Sequence, residues 1–154
     1  MKRRELLGIA AGLAVLPVCG ALGQESNGPE RRWCTDTEPL EQAFPALGPL
    51  ADARWVSSRD DERDLPSPEL AISGFARLAP GTLAELAAAH TFVSGAPADD
   101  FPSWFEEPLR GEGPDDPHWV RSDTLDRDAD GSSTRLWFDR RTRTVRFRAL
   151  NPYG

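Results

Sequence analysis

From Arg135 to Leu150 the chain alternates apolar and polar positions with a period of two. Leu136 and Phe138 alternate with Arg135 and Trp137. After the polar group Asp139 to Thr142, Val145, Phe147 and Ala149 alternate with Thr144, Arg146 and Arg148. This period puts one set on a buried sheet face and the other in solvent. Asp139 suits the first position of a type I turn, so the stretch predicts a C-terminal β-hairpin. Glu69 to Leu78 predicts a further strand, with Leu70, Ile72, Ala76 and Leu78 on one side and Ala71, Ser73, Phe75 and Arg77 on the other. Gly74 in its middle marks a bulge or a close backbone approach. Shorter strands are read at Ala53 to Ser58, Thr91 to Val93 and His118 to Arg121.

Helical spacing occurs twice. In Thr37 to Phe44, Thr37 can cap, Pro39 is tolerated in the first turn and Pro45 stops the helix; Leu40, Phe44 and Leu47 share a face. Pro80-Gly81-Thr82 opens the second helix, where Thr82 and Glu85 have capping-box spacing and Leu83, Leu86, Ala87 and His90 fall on one side. Eight or nine residues do not stay helical alone, so this helix must lie on the sheet. The pattern predicts a single α+β domain over residues 37–154. It is an antiparallel sheet of about four or five strands with one or two short helices on one face, its ends formed by the Glu69–Leu78 strand and the hairpin.

The N-terminus changes the picture from fold to address. Met1-Lys-Arg-Arg-Glu is a positive segment, Leu6 to Leu22 is an apolar run broken by Gly8, Gly12, Pro17 and Gly20, and Ala21 and Gly23 precede a cut ahead of Gln24. That is the layout of a signal peptide, residues 1–23. Arg3-Arg4-Glu5-Leu6-Leu7 also resembles the twin-arginine export motif, with Lys2 and Gly8 departing from it. Retention as an anchor is weakened by Pro17 and the short run. Lipidation at Cys19 is weakened by Val18 and Pro17, where a small residue belongs. The expected location is therefore extracellular or at the cell surface, with membrane contact only through the N-terminal segment. Residues 24–36 read as a flexible polar tether. With Cys19 lost or lipidated, Cys34 would stand alone as an inert thiol.

Composition narrows the function. The 154 residues are 39% hydrophobic and 28% charged, with 14 Pro and 13 Gly, so much irregular structure is expected. The formal net charge of −7 becomes −9 when the leader removes three basic residues and one acidic residue. This excludes a non-specific binder of nucleic acid or anionic membrane. Charge is also uneven. Asp99 to Asp130 holds eleven acidic residues and three Arg, whereas Gly131 to the end holds six Arg and Asp139 alone. The acidic segments are expected to fold back onto the Arg-rich hairpin, or else to form an acidic face for a basic partner.

Two constellations are candidates for a site. Residues 94–117 form a long irregular loop, a length that is usually functional or disordered. It sets Phe101, Trp104 and Phe105 among acidic residues: either an aromatic-acidic recognition surface for a cell-surface or extracellular partner, or rings that cover a sheet edge. Asp126, Asp128 and Asp130, followed by Gly131, have the alternate spacing that opens a calcium loop. Trp137 stands where the bidentate carboxylate belongs, so a plain acidic turn competes with a calcium-stabilised one. Neither His90 nor His118 has zinc-ligand spacing, and there is no nucleophile elbow or phosphate loop. The expectation is a non-catalytic binding module, a small hydrolase being the remote alternative.

Three stretches together carry a resemblance: Phe44-Pro-Ala-Leu-Gly48 with Ala53-Arg-Trp55; Ile72-Ser-Gly-Phe-Ala-Arg-Leu78 with its helix; and the hairpin ending Ala149-Leu-Asn-Pro-Tyr153. They resemble small exported proteins and lipoproteins of high-GC actinobacteria. The resemblance implies the export address and the fold, and transfers no site residue.

Overall fold

A computed structural model describes residues 20–21, 30–60, 69–98, 103–129 and 133–152. Its strands are β1 (Gly20–Ala21), β2 (Glu30–Cys34), β3 (Leu50–Asp60), β4 (Glu69–Leu78), β5 (Val93–Ser94), β6 (Trp119–Arg121), β7 (Thr134–Asp139) and β8 (Thr144–Leu150). They form one antiparallel sheet in the order β1-β2-β3-β4-β8-β7-β6-β5. Four short helices connect them: α1 (Glu38–Ala43), α2 (Thr82–Ala89), α3 (Ser103–Glu106) and α4 (Asp123–Asp128), with single 3₁₀ turns at Pro45–Leu47 and Glu107–Leu109.

The chain lays down β1 to β4 side by side, crosses to the far edge with α2, and returns through β5, β6 and β7. The last strand then closes the sheet by pairing with β4, from Ala71↔Leu150 to Arg77↔Thr144. The class is α+β and antiparallel, as the pattern predicts. The strand count is higher than four or five: seven strands lie beyond residue 23 and β1 lies before it. The strands that the pattern does not show are β1, inside the expected leader, and β2, whose Glu30-Arg-Arg-Trp-Cys34 reads as part of a polar tether. The placing of the hairpin also differs, since β7 and β8 sit inside the sheet and not at its end.

One face carries the main core. Ile72, Ala76 and Leu78 of β4, Leu136 and Phe138 of β7, and Val145, Phe147 and Ala149 of β8 are buried against Leu40, Phe44 and Leu47 from α1 and the turn after it, Leu86 of α2 and Leu125 of α4. The Phe44 and Phe147 rings are 5.6 Å apart, and Phe92 meets Phe138 edge-on at 5.3 Å. Each such side chain contributes roughly 1.5–3 kcal/mol of burial. Gly74 faces Trp55 across the β3–β4 pair. A Cβ there would overlap the Trp55 side chain and stand 2.5 Å from the Arg54 carbonyl oxygen, so the close approach, not a bulge, requires glycine. The one register irregularity in that pair falls between Leu50 and Asp52.

Several local expectations need correction. The N-cap of α2 is Gly81, whose φ of 94° is left-handed, and no side-chain cap forms. Thr82 is already helical, so it cannot make the capping box with Glu85; the Glu85 amide donates to the Gly81 carbonyl instead. Within the expected tether, Glu30–Cys34 is a strand paired with β3 from Glu30↔Arg59 to Cys34↔Trp55, and residues 24–29 lie outside the described residues. Gly20 and Ala21 pair with Trp33 and Arg32, so a cut ahead of Gln24 removes β1. Cys34 is disulfide-bonded and not a lone thiol. Cys19, the lipidation candidate, lies outside the described residues. Among the described residues no helix is long and apolar enough to cross a membrane.

The largest departure is on the second face. Trp137, Arg146 and Arg148, expected in solvent, are buried. Phe105 and Leu109, from α3 and the turn after it, pack there on Val56, with Trp33, Ala71 and Phe75 around them. Helical segments thus cover both faces of the sheet and not one.

Candidate functional site

Arg146 and Arg148 stand two apart on β8 and so share a face. The register gives each a cross-strand row: Phe75–Arg146–Trp137, and Ser73–Arg148–Arg135. Glu106, the last residue of α3, descends onto both rows. Its Oε1 accepts from Ser73 Oγ at 2.7 Å, from Arg146 Nη2 at 2.6 Å and from Arg148 Nε at 2.6 Å, and its Oε2 accepts from Arg148 Nη2 at 2.7 Å. Arg148 therefore grips the carboxylate with two nitrogens, the strongest geometry open to it, while its Nη1 donates to the Ala98 carbonyl oxygen. The Arg146 and Arg148 side chains keep only 8% and 6% of their exposure. Each also meets an aromatic face, Arg146 at 4.5 Å from the Phe75 centroid and Arg148 at 5.5 Å from that of Trp137. Burial pulls Arg146 down to about 10; Glu106 opposes this and Arg148 adds to it. Arg146 remains a cation at neutral pH.

Further arginines hold the rest of the segment. Arg54 Nε pairs with Glu112 Oε2 at 2.9 Å. Arg141 Nη2, at the tip between β7 and β8, donates to the carbonyls of Asp115 and Asp116 at 2.8 and 2.9 Å. Between these ties Gly113 rests on Phe75, where a Cβ would stand 2.8 Å from the ring. The acidic segment and the basic hairpin therefore do meet, as the charge distribution implies.

Among the described residues, two hollows share Gly113 and Pro114 of the strapped segment in their linings. The larger, of about 330 Å³, is walled by Phe75, Pro97, Leu109, Pro117 and Trp119, with Arg146 in its lining and Asp115 at its edge. The smaller, of about 250 Å³, is lined by Asp52, Arg54, Arg77 and Glu112 beside Phe75. Its charges are already paired, Arg54 with Glu112 and Arg77 with Asp52.

Of the sequence-predicted recognition residues, Phe105 is 2% exposed and belongs to the packing beneath the loop, so it is not displayed to a partner. Phe101 and the Trp104 side chain lie outside the described residues. Asp126 and Asp128 lie on α4 and not in a turn. Residues two apart on a helix point to different sides; accordingly Asp126 is buried and Asp128 is exposed, while Asp130 lies outside the described residues. Asp126 has another task. The β6 strand pairs with β7 only at Phe138 and Asp139, and Asp126 Oδ1 accepts the Leu136 amide at 3.0 Å beyond the reach of β6. Its Oδ2 takes Arg121 Nη2 at 3.0 Å. Burial raises its carboxyl above the ordinary range, against the lowering by the Leu136 amide and Arg121. Among the described residues no group of three metal-ligating side chains converges.

The histidines serve the framework. His90 caps the C-terminus of α2, and its Nδ1 meets Thr124 Oγ1 at 3.0 Å. His118 contributes its backbone amide to Asp139 Oδ1 at 3.2 Å. Among the described residues neither imidazole is hydrogen-bonded to a carboxylate. Glu106, Phe75, Trp119 and Arg146 were not singled out by sequence reasoning. The available signal was arginine at alternate hairpin positions with an acidic, proline-rich segment to answer it. No protein-family model, curated protein or solved structure matches the chain.

Proposed function

We propose that the protein is an exported, non-catalytic binding module, and that its recognition surface is the larger cleft between the strapped segment and strands β4 and β8. The observation that carries this reading is an open hollow of about 330 Å³ whose lining mixes apolar side chains with Asp115 and the buried cation Arg146, a concave surface with a few placed polar groups as in small-ligand sites. Its roof is tied down at Ala98, Glu106, Glu112 and Asp115–Asp116. A roof held in this way loses little freedom when a ligand enters. Export is supported by the leader pattern of residues 1–23.

The test is recovery of the protein from medium and cell-surface fractions, followed by native mass spectrometry beside a Trp119→Ala variant. The wild type is expected outside the cytosol with a bound small molecule, and the variant is expected folded without it. Cytosolic retention, or identical bound mass in both proteins, contradicts the reading.

A further inference from the structure

We propose that the folded chain cuts itself at the peptide bond between Asp116 and Pro117, the Asp116 carboxylate attacking its own main-chain carbonyl and Pro117 leaving as an amine.

The bond is chemically the weakest kind in a polypeptide, and the sequence contains it once. Aspartate carries a nucleophile within ring-closing reach of its own carbonyl carbon, so attack is intramolecular. Proline supplies a tertiary amide whose nitrogen departs as a basic secondary amine.

The fold adds three features to this chemistry. Asp116 has a φ of 45°, in the left-handed region that non-glycine residues seldom occupy, although a residue before proline is normally held extended. Opening the bond releases that strain. The Asp116 carbonyl oxygen accepts from Arg141 Nη2 at 2.9 Å, and the same nitrogen holds the Asp115 carbonyl at 2.8 Å. A guanidinium on this oxygen polarises the carbonyl and stabilises the negative charge that develops there during attack. Asp116 is exposed, and among the described residues no hydrogen bond or ion pair engages its carboxylate. The side chain is thus free to turn onto its own backbone.

The step balances with water alone. Asp116 Oδ bonds to the Asp116 carbonyl carbon, the C–N bond to Pro117 breaks, and the departing nitrogen takes a proton from solvent. Water then opens the cyclic anhydride to the two carboxyls of a C-terminal aspartate. Acid assists through the leaving nitrogen. The charged groups around the bond are Arg141 at the hairpin tip, Asp139 at the end of β7, which accepts the His118 amide, and the neighbours Asp115 and His118.

Asn151–Pro152 is an internal control. Asn151 has a φ of 48° and also precedes proline. It offers an amide in place of a carboxylate, and its Oδ1 is occupied by the Leu70 amide at 2.9 Å. The nick at Asp116 falls in the wall of the larger cleft, whose lining includes Asp115 and Pro117. Ahead of it Glu106 and Glu112 stay tied to Arg148 and Arg54; after it β6 stays paired with β7. The two pieces therefore remain one folded unit, with the cleft wall freed at its tip.

The test is intact mass spectrometry of the full chain, purified at neutral pH with protease inhibitors and then held at about pH 5 or about pH 7.5. Two fragments are expected, one ending at Asp116 and one beginning at Pro117, their masses summing to the whole plus one water. Conversion should be first-order, independent of protein concentration and faster at the lower pH, while Asn151–Pro152 stays whole. Asp116→Asn, which tolerates the same backbone, should stay intact over the same interval. Arg141→Gln should slow the cut about a hundredfold, circular dichroism confirming that both variants fold. The wild type in concentrated urea at the lower pH measures the bond without the fold, and should cut at least about tenfold more slowly. An intact wild type, a cut elsewhere, or a rate that rises with protein concentration overturns the proposal. So does a rate in urea, in Asp116→Asn or in Arg141→Gln equal to that of the folded wild type.

Discussion

Glu106→Leu is the most informative perturbation of this fold. It removes four hydrogen bonds of 2.6–2.7 Å and leaves Arg146 and Arg148 buried without their shared carboxylate. Deleting one partner of a buried charge network costs about 3–5 kcal/mol, because the remaining charge is left uncompensated. The Glu106 side chain keeps 17% of its exposure, so water reaches part of the site, and the lower end, about 3 kcal/mol, is expected. Domain stability is commonly about 5–15 kcal/mol, so the variant should still fold. Urea unfolding followed by far-ultraviolet circular dichroism should show its midpoint lowered by about 1–2 M at an ordinary denaturant slope. A companion variant, Glu106→Leu with Arg146→Met and Arg148→Met, exchanges the whole network for apolar packing. It should recover most of the loss, since complete replacement of a buried ionic group is often near neutral. A loss below about 1 kcal/mol in the single variant would refute the reasoning. So would a triple variant as unstable as the single one.

The remaining predictions concern packing and titration. Phe105→Ala should cost about 3–5 kcal/mol in the same assay, as expected of a core ring and not of a displayed one. Gly74→Ala should cost about 3 kcal/mol or more, because its Cβ has no room beside Trp55. Burial alone would raise the Asp139 carboxyl, but hydrogen bonds from Thr142 and His118, with Arg141 nearby, hold it below its usual range. Its stabilisation is therefore complete above the unfolded-state value and fades as pH falls through the folded value. Asp139→Asn should flatten the loss of stability below about pH 4. Asp126 has the opposite sign: raised by burial, it costs stability as pH rises from about 4 through its folded value. Asp126→Asn should gain on the wild type across that interval.

The sequence shows the inner face of the sheet far better than the outer one. The bounds of the β4 strand are read directly, because Leu70, Ile72, Ala76 and Leu78 keep one alternation on both sides of Gly74. Leu136, Phe138, Val145 and Phe147 likewise declare themselves as core. Arg146 and Arg148 obey the same alternation but are read as solvated, since charge ordinarily means exposure. Their burial depends on Glu106, about forty residues earlier in the chain, and no local pattern reports such a partner. The burial of Asp126 is hidden in the sequence for a related reason. Leu125 and Asp126 are both buried on a short helix, and the acceptor that Asp126 supplies is needed only because β6 ends early. Phe105 lay between two readings that composition could not separate; the apolar surface of Val56 and Leu109 beneath it decides for the core. The cleft was illegible because its walls come from four separate segments, joined only once the loop is tied down.

The central claim is that buried arginines strap the acidic, proline-rich segment onto the outer sheet face through Glu106. Amide hydrogen exchange tests it most directly at Arg110 and Glu112, which donate to Glu107 and Leu109 within that segment. Both amides should be protected in the wild type and should exchange much faster in Glu106→Gln, while the β4 and β8 amides stay slow in both proteins. Rapid exchange at Arg110 and Glu112 in the wild type, or protection unchanged by the substitution, would contradict the account.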